Sequence, residues 1–231
     1  MAKSVSKINV YFEVGKKRTF AGALDWPGWC RSGRDESSAL QALFKYGPRY
    51  ARVLRNARLG FQTPKDVSAF RVVERLEGNA TTDFGAPGLA PSYDTKPVSP
   101  EELQRFQKIL RACWRAFDAS VKSAAGKTLR SGPRGGGREL EGIIEHVLGA
   151  DSGYLTSLGW KVSQRDADDL EKQRDQIRQA ILKGLAVAAR GEIPAKGPRG
   201  GTRWTPRYYV RRAAWHVLDH AWELEDRAIS E

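Results

Sequence analysis

From Ile8 to Val14 the chain alternates apolar and polar residues (Ile-Asn-Val-Tyr-Phe-Glu-Val), the period of a strand with one face buried. Gly15 to Arg18 can turn, and Thr19 to Leu24 can return as a second strand. Asp25-Trp26-Pro27-Gly28 reads as a tight turn before a short third strand near Trp29 to Ser32. The period then changes. Asp35 can cap a helix carrying Ala39, Leu40, Leu43 and Phe44, and Gly47-Pro48 is expected to break it. A further helix is expected to bear Arg49, Arg52, Arg55 and Arg58 at every third position, and Ala69 to Leu76 reads as one more strand. Residues 1–78 therefore read as a small α+β domain that begins β-β-β-α.

From Gly78 to Pro97 the chain turns rich in Gly, Pro, Thr and Asp, so residues 79–97 are expected to be a linker. Beyond it the period is helical. Ser99-Pro100-Glu101-Glu102 combines an N-cap, a proline at the first helical position and a capping-box glutamate. Leu103, Phe106, Leu110, Cys113, Trp114, Phe117 and Val121 follow at three- and four-residue spacing. A second helix contains Leu140, Ile143, Ile144, Val147 and Leu148 and runs to about Leu158. The third is expected from Asp166 to Ala189, and the fourth from Pro206, capped by Thr205. Residues 98–231 thus read as an all-α four-helix bundle, an architecture whose sites are built from facing core side chains.

All three histidines fall in this bundle. His216 and His220 lie four residues apart, on one side of the last helix, which is metal-ligand spacing. Tyr209, Ala213 and Glu223 share their stripe, and apolar surface flanks it on both sides. His146 lies on the second helix, on a face shared with Gly142, Gly149, Ala150 and Gly153. A glycine inside a helix costs roughly 1 kcal/mol relative to alanine, so three on one side ask for a reason. Close helix packing is one reason, and room for a ligand beside the imidazole is another. Three imidazoles from two helices would hold an ion and leave positions open, the layout of a catalytic rather than a structural metal site. Val217 stands where a zincin peptidase would carry its glutamate, which argues against that chemistry.

The His146 helix with Asp151-Ser-Gly-Tyr154-Leu155, together with Arg211-Arg-Ala-Ala-Trp215-His216-Val-Leu-Asp-His220-Ala-Trp-Glu-Leu-Glu-Asp226, resembles the DinB/YfiT-like superfamily. That resemblance implies a four-helix bundle with His146, His216 and His220 as ligands of a divalent metal, Zn²⁺ first and Ni²⁺ or Fe²⁺ as alternatives. It also implies a small-molecule substrate and a homodimer. Relatives include transferases that use low-molecular-weight thiols, bacillithiol or mycothiol, and a mycothiol-dependent isomerase. The expected function is accordingly a metal-dependent thiol transferase or isomerase, with a hydrolase as a variant on the same ligands. Tyr154, Tyr209, Arg212 and Asp151 are the candidate catalytic or substrate-facing groups, and Asp151 can orient a ligand or pair with an arginine such as Arg212.

The stretch Asp25-Trp-Pro-Gly-Trp-Cys-Arg-Ser-Gly33 to Leu40 resembles the HicB-like antitoxin domain. It implies a toxin-like protein or nucleic acid as a partner of the N-terminal domain. The alternative function is then a non-catalytic interaction protein whose metal site is structural or vestigial.

The remaining features refine these expectations. A net charge of +12 permits attraction to nucleic acid or to small anions. The pentapeptide Gly-Pro-Arg-Gly-Gly occurs at 132–136 and again at 197–201, each time before a histidine-bearing helix, which makes Arg134 and Arg199 candidate anion or cofactor contacts. Two cysteines, Cys30 and Cys113, are too few for a disulfide framework and read as buried thiols. With no long apolar run and a polar start, no membrane span or secretory signal is expected, and a cytoplasmic location is.

Overall fold

The computed structural model describes residues 7–131, 137–162 and 169–229. The chain divides into two units, residues 1–96 and 97–231. The first carries a mixed four-stranded sheet and the second carries four long helices.

In the first unit β1 (Ile8–Val14), β2 (Thr19–Ala23) and β3 (Cys30–Gly33) form an antiparallel meander. β4 (Phe70–Glu77) adds parallel to β1, giving the order β3-β2-β1-β4 with a register shift at Val10/Tyr11. Helix α1 (Glu36–Leu54) packs on β2 and β3 and presents Ala39, Leu43, Gly47, Tyr50 and Leu54 to the core. Trp29 is fully buried against Tyr50 and Phe61, and its indole N–H donates to Leu43 O at 2.9 Å. Tyr50 donates to Pro27 O at 2.8 Å, so the aromatic core also fixes the turn.

Two expectations change here. Gly47-Pro48 does not end the helix: α1 runs through it, and a short 3-10 turn over Arg55–Ala57 follows. The buried positions recur at 43, 47, 50 and 54, and burying that stripe outweighs the one backbone bond that Pro48 removes on the exposed side. The stretch 79–97, expected as a linker, is not bare chain. It holds helix α2 (Ala80–Phe84) and a 3-10 turn over Ser92–Thr95. Glu13 of β1, fully buried, accepts from Thr82 Oγ1, from Gly88 N at 2.9 Å and from Leu89 N at 3.1 Å. A Gly/Pro-rich composition therefore reflects turns that bring backbone N–H groups onto a buried carboxylate.

In the second unit α3 (Pro100–Ala124) begins at the Ser99 capping box, followed by α4 (Leu140–Leu158), α5 (Leu170–Ala189) and α6 (Pro206–Arg227). The expected start of the third helix at Asp166 lies outside the described residues. Helix α6 packs chiefly on α3 and α4, and almost its whole circumference is buried.

Side-chain contacts fix the helix directions. Arg207, at the start of α6, donates to Glu102 at the start of α3 (2.6 Å), while Arg227, at its end, donates to Arg130 O beyond the end of α3 (2.6 Å). α3 and α6 are therefore parallel. Arg227 also donates to Arg138 O just before α4 (3.0 Å), so α4 runs against them. Arg178 forks onto Asp118 with two bonds of 2.8 Å, and Gly184 lies against Trp160 beyond the end of α4, so α5 runs parallel to α4. The order is up-down-down-up. The starts of α4 and α6 consequently lie at opposite ends of the bundle, separated by the roughly 33 Å that a helix as long as α6 spans. Arg134 lies outside the described residues, and Arg199 is exposed.

Candidate metal centre

His216 and His220 project from the middle of α6, with side chains largely buried, and His146 faces them from α4. The antiparallel α4–α6 pair brings them together: the ring centroids are 5.0 Å (146–216), 4.9 Å (146–220) and 4.7 Å (216–220) apart. One ligand nitrogen from each lies within 4.8 Å of the others, so the cluster could hold a metal ion. His146 Nε2 and His216 Nε2 are 3.2 Å apart. Two imidazoles bound about 2.05 Å from a tetrahedral ion would be separated by roughly 3.3 Å, so the His146–His216 pair fits.

The group that orients the cluster is one the sequence reading left unassigned. Glu223, one turn beyond His220, accepts from His220 Nδ1 at 2.7 Å, which leaves Nε2 as the atom of that ring that could bind an ion. Arg227 donates to the other Glu223 oxygen at 2.8 Å. Burial alone would raise the Glu223 carboxyl, but the bonds and charges of His220 and Arg227 outweigh it and bring the pKa down to about 2. The signal was present in sequence: Glu223 shares the histidine stripe, and the spacing i, i+3 and i, i+4 suits a relay from Arg227 to Glu223 to His220.

Of the candidate groups, Tyr154 lies edge-on to His216 with ring centroids 5.5 Å apart. The guanidinium of Arg212 sits 5.3 Å from the Tyr154 ring centroid and 4.7 Å from that of Trp215. Trp204, just before α6, stacks obliquely on Tyr154 at 5.2 Å and meets Tyr208 edge-on at 4.9 Å, an aromatic flank that the sequence reading did not identify. Tyr209 and Asp151 lie deeper. Both are buried, and the Tyr209 hydroxyl and Asp151 Oδ1 have no hydrogen-bond partner among the described residues. Arg178 is the cation whose field reaches Asp151, yet its guanidinium is committed to Asp118. Burial therefore dominates and lifts the Asp151 carboxyl to about 7.

The glycines on the His146 face serve no close packing. A Cβ at Gly149 or Gly153 would meet nothing within 4 Å, and at Gly142 only the Arg138 side chain. Gly149 and Gly153 are exposed, so the α4 surface beside His146 and Tyr154 is low and open.

No family model matches the chain, and comparison with curated proteins and with solved structures returns no match. Among the described residues no helix is long and apolar enough to cross a membrane. Cys30 and Cys113 are free and buried, and burial raises the Cys113 thiol far above its ordinary range, which leaves it inert as a nucleophile.

Proposed function

We propose that the second unit is a divalent-metal enzyme of the DinB-like class, a low-molecular-weight-thiol transferase or isomerase. The observation that carries this reading is the convergence of His146, His216 and His220, with Glu223 and Arg227 aligning the last of them. A bound divalent ion, Zn²⁺ first and Ni²⁺ or Fe²⁺ as alternatives, would supply Lewis acidity and lower the pKa of a thiol or water beside it. The chain's own residues do the rest. Glu223 holds the His220 tautomer, the Tyr154 and Trp204 rings wall one side, and the open surface over Gly149 and Gly153 admits a substrate.

Elemental analysis of untagged protein tests the reading. Wild type should carry close to one ion per chain, and a His146→Ala, His216→Ala double variant should carry none while keeping its helical circular dichroism. Wild-type protein that takes up no Zn²⁺, Ni²⁺ or Fe²⁺ when offered them would end the metalloenzyme reading.

A second reading concerns the first unit, for which we infer a HicB-like interaction role. It is favoured by the exposed Arg52, Arg55 and Arg58 and by Arg49 and Arg31, whose guanidinium groups lie 5.1 and 4.1 Å from the Tyr46 ring centroid. Such a surface suits phosphate contact. Salt-dependent affinity for nucleic acid that falls on Arg52→Ala, Arg55→Ala supports it, and binding of a toxin-like protein without nucleic-acid affinity redirects the role to protein recognition.

A further inference from the structure

Arg212 lies one turn before His216 on α6, half-buried, with its guanidinium over two aromatic rings. The Tyr154 side chain is within hydrogen-bond reach of it, so the cation is tied to the ring that touches His216. Trp204, also half-buried, extends that ring surface away from the histidines. The result is a positioned planar cation, an aromatic wall and three imidazoles within one side chain of each other, beside the open α4 surface at Gly149 and Gly153.

These parts match one ligand chemistry. A guanidinium offers a fixed fork of N–H donors that a carboxylate accepts in bidentate fashion, and flanking rings limit the orientations it can take. Aromatic rings in turn prefer a flat, polarisable partner in offset or edge contact. We propose that Arg212 is the anion-recognition residue of this site and that its substrate is a small carboxylate whose planar part lies along Tyr154 and Trp204. Calling the ligand a substrate rests on the metalloenzyme reading, whereas carboxylate recognition by Arg212 does not.

Isothermal titration of the full chain, metal-free and separately zinc-loaded, with benzoate, benzamide and inorganic phosphate tests the inference. In metal-free protein benzoate should bind about tenfold tighter than benzamide, and phosphate should bind more weakly than benzoate. Arg212→Met should lose about tenfold in benzoate affinity and nothing in benzamide affinity. Arg212→Lys, which keeps the charge without the fork, should recover only part of that loss. Metal content should be the same in wild type and both variants. Equal binding of benzoate and benzamide by wild type overturns the inference without recourse to any variant, as does an Arg212→Met protein that binds benzoate like wild type. Tighter phosphate binding overturns the carboxylate assignment. A chain that takes up no metal yet selects benzoate through Arg212 keeps the anion site and sinks the enzyme reading; one that takes up zinc and ignores benzoate does the reverse.

Discussion

Glu13 in the first unit and Asp151 in the second are both almost completely withdrawn from water, and they are treated in opposite ways. Glu13 accepts from a threonine hydroxyl and two backbone N–H groups, so its capacity is used up in holding the segment after β4 against the sheet. Asp151 has an oxygen with no partner among the described residues, and its pKa stands near 7. A buried polar group left unpaired is costly, and proteins keep such groups where chemistry uses them. The first carboxylate is spent on the fold. The second is uncommitted, in the same helix bundle as three convergent histidines.

The largest expected effect breaks the Glu13 side of this comparison. Glu13→Ala strands three donors and opens a void, and should cost the first unit about 5 kcal/mol, measured by urea denaturation. Asp151→Asn, a similar-sized neutral change, should leave stability unchanged or raised at neutral pH.

The pH dependence sharpens the other side. The folded pKa of Asp151 lies above the ordinary 3.8, at about 7, so its contribution to stability is fully present below pH 4 and is lost as pH rises to about 7. The difference between wild type and Asp151→Asn across that window should amount to roughly 4 kcal/mol as a ceiling. A flat difference curve would mean that Asp151 finds a partner in solution.

Next comes Glu223→Gln. It keeps the shape but weakens the bond to His220, and should lower metal affinity by about 10-fold to 100-fold with the fold intact, as read by competition with a chelating dye. The smallest effect is expected for Arg199→Ala. The side chain is exposed at the end of the bundle away from the α3–α4 connection, so stability should change by less than about 0.5 kcal/mol, and benzoate affinity should not move.

Much of the architecture was legible because local physics and tertiary packing agree there. The alternation in β1, the Ser99-Pro100-Glu102 cap of α3 and the Thr205-Pro206 start of α6 are all found where their patterns place them. Pro48 misled because a local rule about one backbone bond lost to a buried stripe of five residues. The 79–97 stretch misled because its turns serve Glu13, which is 66 residues before the first of them and carries no mark of the connection. The shared stripe of His216 and His220 and the inward face of His146 were legible from spacing and phase, but Glu223 was passed over, although it lies on the same stripe. The place of Arg212 against Trp215 and Tyr154 depends on how α4 meets α6, which periodicity does not encode.

By itself the sequence determined most of the segments that become strands and long helices, where most of those start, and which face of α4 and of α6 carries the imidazoles. These follow from period and capping, which are local. Only the tertiary structure decided that α3 and α6 run parallel, that α4 and α6 begin at opposite ends of the bundle, and that Asp151 stays uncommitted while Glu13 is fully engaged. Those outcomes depend on which distant groups meet, and a buried carboxylate reads the same in sequence whether three donors reach it or none.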